Sequence, residues 1–167
     1  MKKTKINLFI DPKTTIGHVH LKVSDLGKSV KFYTEVLGFK VMTRMGNSAA
    51  FLSAGGYHHH IGLNTWESAN GKQPPQGSTG LYHFAILVPS RKELARVFKR
   101  LMGHNYPIEG ASDHGVSEAV YLKDPDGNGI EIYADRPRSK WKYDSKGKLI
   151  MYTNRLDIDD LMKELGK

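Results

Sequence analysis

The chain of 167 residues contains no cysteine, so no disulfide can stabilise its fold. Proteins of oxidising compartments often rely on disulfides, and a cytoplasmic location is therefore expected. No apolar run approaches the ~18 residues that a membrane helix needs. The first residues also lack an apolar stretch long enough for an export signal. The sequence thus predicts a protein without a membrane partner.

Acidic residues are few: the chain has 17 aspartates and glutamates against 25 lysines and arginines, which gives a net charge of +8. The basic residues are scattered and not interleaved with aromatic residues, so a nucleic-acid partner is not expected. A solvated basic surface is one interpretation, and attraction of small anionic substrates toward a cleft is the other. The length is typical of one domain with a sizeable core.

The sequence repeats once, with His18 aligned on His83 and no gap over more than twenty following positions. In each copy apolar residues first alternate, as in a half-buried strand, and then recur at helical spacing up to Gly38 or Gly103. Three short strand-like runs follow each helix. We therefore predict an α+β fold in which two βαβββ modules form a cupped, barrel-like mixed sheet with the helices outside.

Composition divides this single domain into four parts. A linker rich in proline, glycine and polar residues separates the modules, and a basic tail follows the second one. The tail is expected to end in a short helix from about Asp157 to Leu165. The predicted parts are a first module at about 15–68, a linker at 69–80, a second module at about 81–137 and the tail at 138–167.

Strand parity selects a set of candidate ligands. Alternate residues of each strand should face away from the helices, toward the concave side of the sheet. The repeat pairs His18 with His83, and a second pair joins His60 and Glu131, since each precedes an apolar residue in the last strand of its module. A buried carboxylate without a partner is costly, so Glu131 between two isoleucines favours a cation. The four side chains are predicted to meet at one metal ion; the alternative is that they are ordinary surface or hydrogen-bonded groups.

Three segments, HVHLKVSDLGKSVKFYTEVLGF, HFAILV and YLKDPDGNGIEIY, resemble the vicinal oxygen chelate superfamily. That group includes glyoxalase I, fosfomycin-resistance enzymes, bleomycin-binding proteins and extradiol dioxygenases, and the resemblance covers residues 15–137. Within it, AAFLSAGGYHHHIGLNTW is most similar to bacterial catechol 2,3-dioxygenases. This chain has one pair of modules where those enzymes have two.

The resemblance implies a ligand set of two histidines and one glutamate, which falls on His18, His83 and Glu131. Such a triad with open coordination positions is associated with non-haem Fe(II), although Mn, Zn and Ni also suit these ligands. The substrate would be a catechol-like small molecule that chelates the metal through two vicinal oxygens, with O₂ as the second reactant. Superfamily members with one pair of modules often dimerise, which implies a homodimer.

The resemblance also implies acid-base residues. It places one within the run from His58 to His60: motif alignment favours His59, whereas strand parity favours His58 or His60. His114 and Tyr121 match positions that hydrogen-bond substrate oxygens. The aromatic side chains Phe51, Trp66 and Tyr133 would line the site or belong to the core.

Two further functions are consistent with the same motifs. One is a metal-dependent lyase, isomerase or thiol transferase of the glyoxalase or fosfomycin-resistance type, which uses Zn²⁺, Ni²⁺ or Mn²⁺ as a Lewis acid and in which His60 could be a fourth ligand. The other is a metal-free module that binds a small molecule.

Overall fold

The computed structural model describes residues 9–166. Nine strands and three helices follow one another in the order β1, α1, β2–β4, β5, α2, β6–β9, α3. Their bounds are β1 Val19–Lys22, α1 Leu26–Lys31, β2 Lys40–Met45, β3 Ala49–Ser53, β4 Ile61–Asn64, β5 Phe84–Leu87, α2 Arg91–Gly103, β6 Gly110–Asp113, β7 Ser117–Lys123, β8 Gly129–Asp135, β9 Asn154–Arg155 and α3 Ile158–Met162. A π-helical turn, Phe32–Val36, extends α1, and 3₁₀ turns form at Arg138–Lys140 and Lys163–Gly166. Over the described residues, no helix is both long and apolar enough to cross a bilayer.

Each module builds its own sheet. The first sheet has the strand order β1-β4-β3-β2, and the second has the order β5-β8-β7-β6-β9. In both sheets the first strand of the module runs parallel to its last strand, and the remaining neighbours are antiparallel. The predicted α+β class with two βαβββ units is confirmed.

Local sequence signals explain where the helices begin and end. Asp25 caps α1 by accepting a hydrogen bond from the backbone N–H of Lys28, and Ser90 caps α2 through the N–H of Glu93. After the π-helical turn the chain reverses at Gly38, whose φ of +89° suits a residue without a Cβ. The alternating apolar residues of the strands then pack beneath these helices.

One apolar core joins both modules, with fully buried Leu63 and Leu94 contributed from opposite halves of the chain. Hydrogen bonds to the hairpin between β7 and β8 also link the two modules. The buried Tyr33 hydroxyl donates to Asp124 at 2.9 Å, and Asp126 accepts from the N–H of Ser24 at 3.0 Å. The two modules therefore share packing and hydrogen bonds.

The register corrects one predicted equivalence. In the first sheet, His20 lies opposite Gly62. The repeat aligns His20 with Ala85, and in the second sheet Ala85 lies opposite Glu131. The counterpart of Glu131 is therefore Gly62, and the pairing of Glu131 with His60 is wrong by two positions. Because strand patterns have a period of two, a shift of two residues keeps every side chain on its face and leaves no trace in the apolar pattern.

Candidate functional site

The second module brings together two of the predicted metal ligands. His83 immediately precedes β5, and Glu131 lies on the adjacent parallel strand β8. The Nε2 atom of His83 is 3.1 Å from Oε2 of Glu131, and the two side chains are 32% and 15% exposed. Both atoms carry lone pairs that bind cations. Two ligands at right angles on an ion with ~2.1 Å bonds are about 3.0 Å apart, so the pair fits one divalent metal.

Two further predicted residues continue from this pair in a hydrogen-bonded line. Tyr121 faces Glu131 across β7 and β8, and its hydroxyl donates to Oε1 of Glu131 at 2.8 Å. Nε2 of His114 lies 2.6 Å from the same hydroxyl. Burial and the bond to Glu131 raise the pKa of Tyr121 well above its ordinary value, so the phenol keeps its proton at neutral pH.

His83, Tyr121 and His114 line an open cavity of about 500 Å³, and Glu131 contacts the first two of them. Its walls come from the second module and the tail, and they include Tyr82, His83, His114, Tyr121 and Thr153. A cavity of this size suits a small molecule, with a few polar groups converging on one wall. The chemistry that the arrangement supports is binding of a cation next to a phenol donor and an imidazole.

The first module presents a different face, made of aromatic rings in tilted or edge-to-face contact. His59 lies 4.4 Å from His18 and 5.1 Å from Phe51, measured between ring centroids. His20 lies 5.7 Å from Phe51 and 5.6 Å from Trp66. Burial and the nearby His18 lower the pKa values of His20 and His59, which favours neutral imidazoles. Trp66 is 57% exposed and is therefore part of this face and not of the core.

The absence of a side chain at Gly62 makes room for this face. A Cβ atom at Gly62 would lie 2.9 Å from the imidazole of His20, which occupies the corresponding space. The ring is held there by Asn64, whose side-chain amide lies 3.0 Å from Nε2 of His20. The first module thus has an imidazole over the position where the second has a carboxylate.

The three consecutive histidines point to different partners. Nδ1 of His60 lies 3.0 Å from the Ser53 hydroxyl and accepts from the N–H of Ala54 at 3.3 Å, which fits a role in supporting the strand entry. His58 and His59 approach each other at 2.8 Å between their Nδ1 atoms. Of the run, His59 makes the ring contact with His18.

The predicted triad does not meet within the described chain. Among residues 9–166, no group of three or more histidine, aspartate or glutamate side chains is placed to hold a metal ion. His83 and Glu131 come together, whereas His18 lies with His59 on the first module. The sequence pattern gave no indication of Tyr152, whose backbone carbonyl lies 2.8 Å from Nδ1 of His114. No residue type signals such a contact, because every residue carries a carbonyl.

Comparison with known proteins identifies the family. The family model of the Glyoxalase/Bleomycin resistance protein/Dioxygenase superfamily matches residues 15–132, and the chain belongs to this superfamily. A catechol-2,3-dioxygenase of Bacillus subtilis (strain 168) is 46% identical over 157 residues, which cover 94% of this chain and 54% of that protein. The chain therefore spans about half the length of this relative.

Other relatives carry different names. A metallothiol transferase FosB of Lysinibacillus sphaericus is 29% identical over 82% of this chain and 94% of that protein. A probable lactoylglutathione lyase of Vibrio parahaemolyticus is 30% identical over 74% of this chain and 93% of that protein. A solved glyoxalase/dioxygenase structure from Nostoc punctiforme has a TM-score of 0.61 at 22% identity, covering 79% of this chain and 99% of that chain, and shares the fold.

Proposed function

We propose that this member of the glyoxalase/bleomycin resistance protein/dioxygenase superfamily is an extradiol dioxygenase that cleaves a catechol-type ring with O₂ at a divalent metal, with Fe(II) favoured. The observation that carries the proposal is the line of contacts in the second module. There, a ligand pair lies beside a phenol and an imidazole on one wall of a cavity. The similarity to a catechol-2,3-dioxygenase supports it.

His83 and Glu131 would hold the metal through Nε2 and Oε2. An Fe(II) ion held there would supply open coordination positions for the two substrate oxygens and O₂. The carboxylate neutralises part of the metal charge, and its other oxygen accepts from Tyr121. This outer contact orients the carboxylate, as is usual for metal ligands.

We propose that His18 of a second copy completes the triad, which makes the active species a homodimer. Two observations support this step. The cavity at His83 and Glu131 is open, and its lining residues come from the second module and the tail. His18 lies on the other module, on a face formed by His59 and Phe51. If the first module of one copy covers the second module of the other, each cavity gains one imidazole ligand and an aromatic wall.

The remaining polar groups have roles at substrate atoms. His59 would arrive with His18 and accept a phenolic proton, the general-base role of a neutral imidazole. Tyr121 holds its proton and donates toward a substrate oxygen or toward Glu131. His114 lies beside Tyr121 on the cavity wall and would orient its hydroxyl through the 2.6 Å contact at Nε2. Hydrogen-bond donors fixed in this way stabilise charge as it develops on the ring oxygens.

The test is O₂ uptake by protein purified anaerobically and loaded with Fe(II). A panel of substituted catechols should consume one O₂ per catechol and produce a coloured ring-opened product. Glu131→Gln should abolish both signals, and Glu67→Gln, a carboxylate on an exposed side chain, should retain them. An absence of O₂ uptake across the panel in iron-loaded wild type would refute the dioxygenase assignment.

A metal-dependent lyase or thiol transferase is the second candidate. The observation that favours it is the similarity of most of the chain to a metallothiol transferase FosB and to a probable lactoylglutathione lyase. The same ligand pair would then hold Zn²⁺, Ni²⁺ or Mn²⁺ as a Lewis acid. Turnover of a thiol-containing substrate with one of these ions, without O₂ uptake, would select this function.

A further inference from the structure

The tail of the chain reaches the cavity by extending the second sheet. Strand β9 pairs with the edge strand β6, and the backbone N–H of Leu156 donates to the carbonyl of Ala111 at 3.2 Å. At the other end of this segment the N–H of Tyr152 donates to the carbonyl of His114 at 3.3 Å. We call residues 152–156 the tail strand segment. It runs alongside the stretch of chain that carries His114.

Packing and charge hold this segment in place. Leu156 is 4% exposed, and Leu161 on α3 is fully buried in the shared core. Arg91 on α2 forms ion pairs of 2.9 Å with Asp160 and 3.1 Å with Glu164, which fasten α3 behind the segment. Three independent anchors of this kind restrict where the backbone of the segment can lie.

Tyr152 adds a contact next to the cavity. Its ring lies against Gly115, where a Cβ atom would come within 2.7 Å of Cε1 of the tyrosine. The φ of Gly115 is +79°, a conformation that a side chain would strain. The glycine therefore both makes the turn after His114 and leaves the space that the tyrosine ring occupies.

The carbonyl of Tyr152 decides which nitrogen of His114 carries a proton. It lies 2.8 Å from Nδ1, and a carbonyl oxygen can only accept, so Nδ1 must be the donor. Nε2 lies 2.6 Å from the Tyr121 hydroxyl, and it is the nitrogen that gains or loses a proton. When protonated, Nε2 donates to the phenol oxygen while the hydroxyl donates to Glu131; when neutral, Nε2 accepts the hydroxyl proton in place of Glu131. This is the nitrogen on the cavity side of the ring, in line with Tyr121 and Glu131.

We propose that Tyr152 is a positioning residue: its backbone carbonyl, held by the docked tail, keeps the proton on Nδ1 of His114 and thereby directs proton exchange to Nε2. The consequence for catalysis rests on the proposed dioxygenase function, whereas the tautomer itself does not. The tail is thus assigned a role in the chemistry of the cavity through a group that no side-chain substitution removes directly.

The experiment compares Tyr152→Gly with Tyr152→Phe in the full-length chain. The glycine variant removes the ring that packs on Gly115 and frees the local backbone, while the phenylalanine variant keeps that packing. Samples labelled with ¹⁵N-histidine are measured by long-range ¹H–¹⁵N correlation at alkaline pH, both without added metal and with Zn²⁺. A His114→Gln sample assigns the signal. Ring cleavage by the iron-loaded variants is measured in parallel as kcat and KM.

Wild type and Tyr152→Phe are expected to show His114 with its proton on Nδ1. Tyr152→Gly should show a mixture with the Nε2–H form, and kcat should fall about tenfold with little change in KM, since an interaction of the transition state is weakened. If Tyr152→Gly does not fold, Leu156→Ala, which loosens the other end of the segment, takes its place.

An unchanged Nδ1–H signal in a folded variant whose amide exchange shows that the segment has detached would overturn the proposal. So would an Nε2–H form in wild type. If the tautomer responds as expected but no iron-loaded protein cleaves a catechol, the dioxygenase assignment fails and the positioning role of Tyr152 stands.

Discussion

The two modules have the same strand order and the same helix position, yet they present different chemistry. On the second module, Glu131 joins His83 and Tyr121 through contacts of 3.1 and 2.8 Å. On the first module, the position of Glu131 is taken by Gly62, and the ring of His20 lies over it. One repeat therefore carries a hydrogen-bonded cluster around a carboxylate, and the other carries a face of aromatic rings. The same backbone frame thus supports two different sets of side chains.

The largest expected effect comes from removing the carboxylate that distinguishes the modules. Glu131→Gln keeps the shape of the side chain but removes the anionic ligand, so metal should be lost and any metal-dependent turnover should fall by more than about 100-fold. Metal content after gel filtration, measured by plasma mass spectrometry, is the test. Glu67→Gln, whose carboxylate pairs with Lys22 on exposed side chains, is the matched control. Stoichiometric metal in Glu131→Gln would contradict the ligand assignment.

The next effect concerns the hydrogen bond between Tyr33 and Asp124, which links the two modules. Tyr33→Phe removes a buried hydrogen bond to the Asp124 carboxylate, and bonds to charged groups are worth about 1.5–3 kcal/mol. Urea unfolding should show that loss as one shifted transition for both modules. Tyr106→Phe, which removes a hydroxyl bond to the neutral carbonyl of Lys123, should cost only about 1 kcal/mol. Equal losses in the free energy of unfolding of the two variants would show that the charge of Asp124 does not strengthen its hydrogen bond with Tyr33.

A smaller effect tests the space over Gly62. Gly62→Ala forces the His20 ring away from a Cβ that would otherwise lie 2.9 Å from it, and overpacking of this kind costs at least about 1 kcal/mol. Gly110→Ala in the second sheet meets no atom within 4 Å and should be nearly neutral. Thermal unfolding measures both, and the His20 resonances report whether the ring has moved. A neutral Gly62→Ala with an unmoved ring would show that the first module tolerates a side chain there.

The smallest expected effect concerns the tail, which packs on the second module through the ion pair between Asp160 and Arg91. The hydrogen bond and charge of Arg91 lower the pKa of Asp160 below its ordinary value. Because the folded-state pKa is depressed, this contribution is present above the unfolded pKa of about 3.9 and is lost as the pH falls through the lower folded value. The difference in Tm between wild type and Asp160→Asn should therefore shrink from pH 5 downward. A difference that stays constant with pH would exclude the charge of Asp160 as its cause.

Sequence patterns were sufficient for the strands and helices of the two modules and their faces, whereas they did not predict β9 in the tail. Alternation placed Ile130 and Ile132 in the core and Glu131 on the opposite face, as the burial of the strand confirms. Asp25 and Ser90, residue types that favour the cap position, lie at the starts of α1 and α2. The alternation of residues could not fix the strand register. It made His60 the counterpart of Glu131, whereas the strand pairing makes Gly62 the counterpart.

The amino-acid sequence by itself determined the superfamily, the two βαβββ units and the types of residue available for a site. Each of these depends on short-range periodicity and on residue chemistry, which are visible along the chain. Only the tertiary structure decided which candidates touch: it joined His83 to Glu131, left His18 with His59, and brought the carbonyl of Tyr152 to His114. Contacts between distant segments depend on strand register and module packing. Those are set by the summed burial of many side chains and not by the identity of any one residue.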